Sequence, residues 1–352
     1  MLVELLHRLM NLVLPPTSFI TLLFFVPPYY FFKLLLSAIN SVFSENLSGK
    51  VVLITGASSG IGEQLAYQYA RRGANLVLVA RRKKALEEVA DNAHYHGAPD
   101  VLAIKADVSK VDECRRFIDE AVNHFGRLDH LVNNAGISSV CMFEESGDIA
   151  NFAPIMDINF WGAVYPTYFA VPQLRKSNGR IVVTASAAGW LPTPRMSYYN
   201  ASKAALINFF DGLRTEFGSD IKITIATPGY IESELTQGKF LMKDGNTEVD
   251  QDMRDVQIGP APVLRAEQCA RGIVNSACRG DRYVTEPAWF KAAYLWRVFC
   301  PELLEWMMRM LLMTGTGSSE TDALTKKILD ITGAKYFFYP DSIRAQSELK
   351  TD

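Results

Sequence analysis

Cysteine is scarce in this chain. Its 352 residues include five cysteines, and no two of them have C-x-x-C spacing. An odd and widely spaced set predicts neither a zinc cage nor a disulfide framework, so we expect no metal site. Reduced thiols in a protein that faces the cytosol fit this pattern better. The cysteines stand at positions 114, 141, 269, 278 and 300.

An excess of positive charge is also missing. Lysine and arginine total 36 against 38 for aspartate and glutamate, which leaves a net charge of -2. Without a strong positive field to release counterions, we expect no nucleic-acid binding. Hydrophobic residues make up 49% and charged residues 21%, a globular composition that excludes wholesale disorder. The length suggests about two domains, or one large α/β domain with additions.

Charge is absent from a long stretch near the start. Between Arg8 and Lys33 lie 24 uncharged residues, and 16 of them are apolar or aromatic. This is long enough for a transmembrane helix of about 20 residues. The pairs Pro15-Pro16 and Pro27-Pro28 leave only ten residues between them, however, and proline removes a helix donor and disfavours helix before it. The pattern predicts a broken or hairpin insertion into an apolar phase.

A cleaved signal peptide and a buried soluble arm are the alternatives for this segment. The apolar stretch is longer than a signal core, Glu4 lies in the region that is usually basic, and Ser37-Ala38-Ile39 is a weak cleavage site. The rings and the lysine of residues 29–33 suit a membrane interface. We therefore predict that residues 1–46 form an apolar anchor, and that residues 9–46 contact a phospholipid monolayer or membrane.

From Gly49 onward, apolar runs alternate with helical periodicity. Strands separated by helical segments predict an α/β fold with a doubly wound parallel sheet, which we place in residues 47–290. Residues 291–352 are predicted to form a helical extension, which is rich in Trp, Leu and Met up to Met313. A linker is predicted at Thr314–Ser319 and a last short helix at Glu320–Asp330. The predicted strands are 51–55, 75–79, 101–105, 128–132, 181–185 and 222–226, and the helices between the first four are 61–72, 83–94 and 111–125.

A glycine loop follows the first strand. Gly56, Gly60 and Gly62 have the spacing of a tight strand-to-helix turn, where missing Cβ atoms let a pyrophosphate approach the backbone. The helix N-terminus behind it offers free N–H groups to phosphate. The loop, which includes Ser58, Ser59 and Ile61, is therefore predicted to bind a dinucleotide, with a purely structural turn as the alternative. A P-loop is excluded because no lysine follows the last glycine.

The second strand ends without the acidic residue that NAD-binding proteins place there. The sequence is Val79-Ala80-Arg81-Arg82. Because a guanidinium offers a planar fork for a 2′-phosphate, these arginines favour NADP(H). The alternative is that they only end a strand at the surface.

Two further loops are candidates for cofactor contact. Asp107, followed by Val108 after the third strand, is placed to accept a bond from an adenine amine, although a plain turn aspartate is an alternative. Residues Asn133, Asn134, Ala135 and Gly136 present amides and a glycine after the fourth strand. A simple loop is the alternative there.

A candidate catalytic set lies further along the chain. Tyr199 and Lys203 are four residues apart in a helical stretch, and so they share a face. A cation one turn away is expected to lower the pKa of the phenol, which is near 10 when free, and make Tyr199 a general acid/base. Ser186, at the end of a strand, is predicted to orient a substrate oxygen. A tyrosine and lysine at this spacing are by themselves close to chance.

These motifs, taken together and in this order, resemble the short-chain dehydrogenase/reductase family over about residues 48–290. The resemblance implies that Ser186, Tyr199 and Lys203 are catalytic and that Lys203 also bonds the nicotinamide ribose. It assigns Asn159 to the support of a proton-relay water. It further places Pro228-Gly229, Ile231 and Ser233 near the nicotinamide amide.

Nearly the whole chain resembles the plant steroleosins, which are similar to 11-beta-hydroxysteroid dehydrogenases. The residues that carry this are the proline-rich start, Glu45–Lys50 and the long tail. It implies a proline-knot anchor in an oil body, with the endoplasmic reticulum as a route and the catalytic domain facing the cytosol. It also implies NADP-linked oxidoreduction of a sterol hydroxyl or ketone, and a homodimer through the helices that carry Asn159 and Tyr199. One departure is Ser59, where some NADP-using relatives have a basic residue.

A second class of function stays open beside the enzyme: a lipid-droplet coat or sterol-binding protein on an enzyme scaffold. Within the enzyme class, a reductase of a retinoid or fatty aldehyde is also open, because fold and motif do not determine the substrate. The region from Trp289 to Met313 is predicted to wall an apolar pocket or touch the monolayer, with ordinary core or dimer packing as the alternative.

Overall fold

The structure is a computed structural model that describes residues 1–42, 44–315 and 319–344. Contacts divide the chain into two units, Met1–Glu45 and Asn46–Asp352. The first unit contains the long apolar stretch. The second contains the sheet, its helices and the C-terminal extension.

The first unit is one helix, α1, from Leu2 to Val42. All four prolines lie inside it, so the break or hairpin expected at the proline pairs is not observed. The hydroxyl of Thr17 donates to the carbonyl of Val13 at 2.7 Å, and that of Thr21 to the carbonyl of Thr17 at 2.7 Å. Such bonds near a proline help an apolar helix continue through it. The stretch 2–39 is long and apolar enough to cross a membrane by length and composition, and at about 1.5 Å per residue α1 exceeds a core of about 30 Å.

The second unit is built on a parallel sheet of seven strands in the order β3-β2-β1-β4-β5-β6-β9. The predicted doubly wound sheet is confirmed, and the six predicted strands lie within two residues of the observed ones. A short seventh strand and a separate antiparallel hairpin, β7–β8, were not predicted. The strands are β1 Val51–Thr55, β2 Asn75–Ala80, β3 Val101–Lys105, β4 His130–Asn133, β5 Arg180–Thr184, β6 Lys222–Ala226, β7 Lys239–Leu241, β8 Thr247–Val249 and β9 Tyr283–Val284.

Helices cover both faces of the sheet because alternate strand residues point to opposite sides. Val52 and Ile54 belong to one core, with α2 and α9, whereas Val51 and Leu53 belong to the other, with α4, α6 and α7. The helices of this part are α2 Gly60–Ala70, α3 Lys83–Tyr95, α4 Val111–Phe125, α5 Ala153–Met156, α6 Gly162–Ser177, α7 Ser197–Phe217, α8 Gln251–Ile258 and α9 Ala266–Arg279.

The C-terminal extension packs against α8. Lys335 pairs with Asp255 at 2.8 Å, and the hydroxyl of Thr325 donates to the carbonyl of Val256 at 2.8 Å. The predicted last helix is shifted to 324–332, and two short helices follow it, while residues 316–318 of the predicted linker lie outside the described residues. The helices are α10 Lys291–Phe299, α11 Pro301–Leu312, α12 Leu324–Thr332, α13 Lys335–Phe338 and α14 Asp341–Arg344.

The strand order reverses between β1 and β4. In a doubly wound sheet this reversal opens a crevice at the carboxyl ends of the strands, where ligands bind. The glycine loop leaves β1 at this point, and Asn134 follows β4 on the other side.

Candidate active site

A cavity of about 660 Å³ lies at this crevice. It brings together residues that are far apart in sequence and that follow six different strands, β1 to β6. Every predicted cofactor and catalytic residue except Asn133 and Asn159 lines it. These are Gly56, Ser58, Ser59, Gly60, Ile61, Gly62, Arg81, Arg82, Asp107, Val108, Asn134, Ala135, Gly136, Ser186, Tyr199, Lys203, Pro228, Gly229, Ile231 and Ser233.

The glycine loop needs its glycines for space and for backbone conformation. A Cβ on Gly62 would lie 2.2 Å from the carbonyl oxygen of Gly56, and one on Gly56 would lie 2.7 Å from Cα of Ala135. Gly56 also has φ +66, which other residues rarely adopt. Ser59 precedes α2, and its side chain makes no capping hydrogen bond to the helix. The first N–H groups of α2 therefore remain available to a ligand. This is the cradle that a pyrophosphate fits.

The two arginines after β2 have different surroundings. Arg81 is exposed and lines the cavity, and the described part of the chain gives it no ion pair. Arg82 donates to Glu234 at 2.6 Å and to the hydroxyl of Ser59 at 2.7 Å. Arg81 is therefore the guanidinium available to a 2′-phosphate, while Arg82 already has a carboxylate partner.

The loops after β3 and β4 complete this half of the cavity. Asp107 is half-buried, and its Oδ1 accepts from the backbone N–H of Ser109 at 2.9 Å. Asn134 donates to the carbonyl of Thr55 at 3.1 Å and so holds β1 and β4 together at their ends. Asn133 instead points away, buried, and donates to Thr167 at 2.9 Å. Of this motif, residues 134–136 line the cavity.

Ser186, Tyr199 and Lys203 meet on the opposite side. Tyr199 lies in the first turn of α7, and Ser186 follows β5. The Ser186 hydroxyl donates to the carbonyl of Pro228 at 3.4 Å and is near enough to the phenol of Tyr199 to favour its charged form. Nζ of Lys203 donates to the carbonyl of Thr184 at 3.1 Å and lies 5.7 Å from the centre of the Tyr199 ring. Tyrosine and lysine thus share a helix face, as their spacing predicts.

Burial dominates the electrostatics of this group. Tyr199 is 9% exposed and Lys203 is 4% exposed. Burial raises the pKa of Tyr199 above its usual value, and the Ser186 hydroxyl opposes this only in part. Burial lowers the pKa of Lys203 to about 8. The pKa of Tyr199 is therefore raised, whereas its spacing from Lys203 predicted a lowered one, because burial takes the phenolate out of water.

Asn159 lies next to this group and does not line the cavity. It occupies a π-helical turn, Asp157–Trp161, a feature that is often found at functional sites. Its Oδ1 accepts from the N–H of Ile137 at 2.8 Å, and its Nδ2 donates to Ser202 at 2.9 Å. The side chain therefore ties the loop after β4 to α7, and a role in a relay stays a prediction.

Sequence reasoning missed much of the rest of the cavity wall. Gly229 was predicted for the cofactor, and a Cβ there would lie 2.2 Å from the ring of Phe290, so this glycine also lets Phe290 close the cavity. Phe290 and Met308 line the cavity and lie between Trp289 and Met313, the region that the sequence predicted to wall an apolar pocket or touch the monolayer. The other residues come from the loops after β5 and β6, the β7–β8 hairpin and α8, so no spacing in the sequence connects them. The residues that the sequence did not indicate include Leu191, Thr193, Met196, Tyr230, Phe240, Leu241, Arg254, Gln257 and Ile258.

Comparison with known proteins agrees with this geometry. The model of the family described as short chain dehydrogenase matches residues 50–244. A protein named 11-beta-hydroxysteroid dehydrogenase 1A from Arabidopsis thaliana is 59% identical over 349 residues, 99% of this chain and 100% of that protein. An 11-beta-hydroxysteroid dehydrogenase A from Sesamum indicum is 57% identical, covering 97% of this chain and 98% of its own length.

Among solved structures, a short chain dehydrogenase/reductase from Burkholderia phymatum in complex with NAD is similar. Its TM-score is 0.65 and its identity 26%, over 74% of this chain and 96% of that one. With the matching fold, motifs and relatives, this chain belongs to the short-chain dehydrogenase/reductase family.

Proposed function

We propose that this chain is an NADP(H)-dependent hydroxysteroid dehydrogenase that works at the surface of oil bodies. The observation that carries the proposal is the meeting of Ser186, Tyr199 and Lys203 in the cavity that the glycine loop also lines. Relatives named 11-beta-hydroxysteroid dehydrogenase, aligned over nearly the whole chain, support the substrate class.

Tyr199, Ser186 and Lys203 each have a separate role in the interconversion of an alcohol and a ketone. The dinucleotide would supply or accept the hydride when it is bound. The Tyr199 oxygen takes the proton of the alcohol in oxidation and returns it to the ketone oxygen in reduction. The Ser186 hydroxyl donates to the same substrate oxygen and stabilises its developing charge. Lys203, charged below a pKa of about 8, favours the phenolate and is placed to bond a ribose.

The cofactor half of the cavity fits a dinucleotide with a 2′-phosphate. The loop has no Cβ at Gly56 or Gly62, so a pyrophosphate can approach the start of α2. β2 ends in Ala80 and is followed by Arg81, not by an acid that would accept a ribose 2′-hydroxyl. The guanidinium of Arg81, which has no ion pair with any described residue, supports NADP(H) over NAD(H).

The other half of the cavity suits a lipophilic substrate. Its wall is largely apolar and includes Leu191, Met196, Phe240, Phe290 and Met308. A rigid, mainly hydrocarbon molecule with a few oxygen groups would bury its surface there. A retinoid or a fatty aldehyde has similar lipophilicity, and the relatives' names favour the steroid.

An apolar helix supports the location. The large apolar side chains of α1 from Leu2 to Ile39 are exposed, and these include Phe19, Phe24 and Phe25. So large an exposed apolar surface needs a lipid phase or a partner to cover it. A monolayer around an oil body would cover it and would also dissolve the substrate.

A homodimer through the helices that carry Asn159 and Tyr199 is part of the proposal. Trp161 and Tyr168 lie on the adjoining helical surface and are 41% and 74% exposed. Aromatic residues of this kind are enriched in protein interfaces.

The exposed α1 also favours a second function, that of a lipid-droplet coat or sterol-binding protein. Such a role needs the helix and an apolar cavity, but not the hydroxyl, phenol and ammonium together. A substitution that removes only the phenolic oxygen therefore separates the two functions.

The test is cofactor reduction by the full chain in detergent and by a form that lacks residues 1–45. NADP or NAD is offered with a panel of hydroxysteroids, a retinol and a fatty alcohol. Tyr199→Phe is the test variant. Tyr198→Phe is its matched control, because the Tyr198 hydroxyl bonds Ser146 at 2.9 Å and the residue does not line the cavity.

We expect turnover of hydroxysteroids with NADP, an about 10²–10⁴-fold loss in Tyr199→Phe, and near-normal rates in Tyr198→Phe. NADPH should still bind to both variants. Turnover only of the retinol or fatty alcohol would replace the substrate class. Droplet binding by a chain that binds sterol but turns over none of the alcohols would favour the coat.

A further inference from the structure

Helix α8 places a buried arginine in the wall of the cavity. Arg254 is 1% exposed and is the largest fully buried side chain of the described chain. Its Nε donates to Asp255 at 2.8 Å, and its Nη1 donates to the carbonyl of Ile343 at 3.0 Å. Nη2 lies 2.8 Å from the same Asp255 oxygen but without hydrogen-bond geometry, so its N–H groups have no acceptor among the described residues.

Gln257 lies one turn further along α8 and lines the same cavity. It is 5% exposed. Its Nε2 donates weakly, at 3.5 Å, to the carbonyl of Pro194, which sets the orientation of the amide. Its Oε1 is buried and accepts no bond within the described residues. Nη2 of Arg254 has only the misaligned Asp255 oxygen near it, and Oε1 of Gln257 accepts no bond from the described residues. Since residues three apart share a helix face, this donor and this acceptor lie on the same face of α8.

The surroundings hold this pair in place. The hydroxyl of Tyr230 donates to the carbonyl of Gln257 at 2.7 Å, and Thr325 holds the carbonyl of Val256. Asp255, the partner of Arg254, is also bound by Lys335. Tyr230 and the C-terminal extension thus hold the backbone of α8, and Asp255 and Ile343 hold the guanidinium of Arg254.

Buried polar atoms without partners are costly and rare, and in a binding cavity they indicate what the ligand provides. The mechanism above uses neither Arg254 nor Gln257. We propose that they bind a second hydroxyl group of the steroid, on a ring other than the one that Tyr199 serves. This rests on the proposed function and extends it to the substrate.

A hydroxyl matches the pair better than other oxygen groups do. Its oxygen can accept from Nη2 of Arg254 while its O–H donates to Oε1 of Gln257. A ketone would satisfy the arginine and leave the glutamine without a donor. A carboxylate would set its negative charge against the Gln257 oxygen, and Asp255 already neutralises the guanidinium.

The experiment compares three saturated steroids with the full chain in detergent and NADP. The first has one hydroxyl, on ring D. The second has an added hydroxyl on ring A, and the third an added ketone on ring A. Values of kcat/KM for oxidation at ring D are measured, together with equilibrium binding followed by the fluorescence of bound NADPH.

We expect the dihydroxy steroid to be preferred about tenfold or more over the monohydroxy one, with the ketone between them. Gln257→Leu should remove the preference between hydroxyl and ketone. Gln68→Leu is the matched control, because Gln68 is also 5% exposed but lies outside the cavity on α2. Arg254→Lys keeps a charge beside Asp255 and should reduce the preference for any ring A oxygen.

Two outcomes would overturn the proposal. One is equal kcat/KM and equal binding for the three steroids, which would mean that water satisfies the two side chains. The other is a preference that survives in both Gln257→Leu and Arg254→Lys. Failure of the proposed function looks different, because then neither these steroids nor any member of the hydroxysteroid panel is oxidised and none changes the fluorescence of bound NADPH.

Discussion

The guanidinium of Arg82 donates to the carboxylate of Glu234 at 2.6 Å and so joins the glycine-loop side of the cavity to the segment after β6. Both side chains are largely buried. Burial works to raise the pKa of Glu234, but hydrogen bonds from Lys239 and Arg82 hold it below its usual value. The carboxylate is therefore charged at neutral pH, and Arg82 is neutralised before any phosphate arrives.

This pairing predicts that Arg81 determines the preference for NADP, whereas Arg82 stabilises the structure. Arg81→Ala should lower kcat/KM for NADP about tenfold to a hundredfold and leave that for NAD nearly unchanged, because it removes a charged bond to the 2′-phosphate. Arg82→Ala should lower both values alike and lower the melting temperature, since it opens the link to Glu234. Steady-state kinetics with both cofactors measure this.

Arg271→Ala, an exposed arginine on α9 outside the cavity, is the control for lost charge. If Arg82→Ala alone loses the preference for NADP, the phosphate displaces Glu234 and our assignment of Arg81 is wrong.

The buried ammonium of Lys203 predicts a gain in stability when it is removed. Its pKa is about 8 in the folded chain and 10.5 in the unfolded one. The folded state is thus penalised fully below pH 8, and the penalty disappears as the pH rises through 10.5. A fall of the pKa from 10.5 to about 8 corresponds to about 3 kcal/mol.

Lys203→Met should therefore raise the free energy of unfolding at pH 7, by about 2 kcal/mol after loss of the bond to Thr184. Activity should fall, and the gain in stability should vanish near pH 11. Urea unfolding at both pH values measures it, with Lys203→Arg as the variant that keeps the charge. A less stable Lys203→Met at pH 7 would show that the bonds of the ammonium outweigh its burial.

The surroundings of Gly62 predict that its substitution will severely reduce cofactor binding and stability, which is not expected at every glycine. In Gly62→Ala the new Cβ would lie 2.2 Å from the Gly56 oxygen and 2.5 Å from Nδ2 of Asn134. The loop must move, so we expect NADPH affinity to fall at least tenfold and the protein to lose a few kcal/mol of stability. NADPH titration and thermal melting measure both effects.

Gly212→Ala, within α7, is the matched control. Nothing lies within 4 Å of a Cβ at Gly212, and alanine is the better helix former by about 1 kcal/mol. This variant should bind NADPH normally and be slightly more stable. Normal NADPH binding by Gly62→Ala would mean that the loop is not the pyrophosphate site.

Much of the fold could be predicted because the strands of a doubly wound sheet are buried on both faces and stand out as apolar runs. β9, with two residues, is too short to do so. The glycine loop, residues 134–136 and Ser186 were also predictable, since each closely follows a strand, and so was the shared helix face of Tyr199 and Lys203. The pKa of Tyr199 was not, because its sign depends on burial, which spacing along a helix does not reveal. The pairing of Arg82 with Glu234 joins residues 152 apart. Arg254 and Gln257 carry no motif at all.

At the prolines of α1 the prediction from the sequence was wrong. Proline disfavours helix in water, yet α1 continues through four of them. In an apolar phase the alternatives to helix leave more backbone groups without partners, so the helix persists despite the donors that proline removes.

The continuity of α1 gives the last prediction. Substituting Pro27 and Pro28 by leucine should leave flotation of the full chain with oil emulsions or phospholipid vesicles unchanged, because the helix already runs through both positions. Phe24→Lys with Phe25→Lys should abolish flotation, since each charge costs about 2.5–3.5 kcal/mol inside the apolar phase. Removal of residues 1–45 should do the same while steroid turnover persists. If the leucine variant instead floats poorly, the prolines shape the anchor by bending it, and the straight helix does not describe its lipid-bound form.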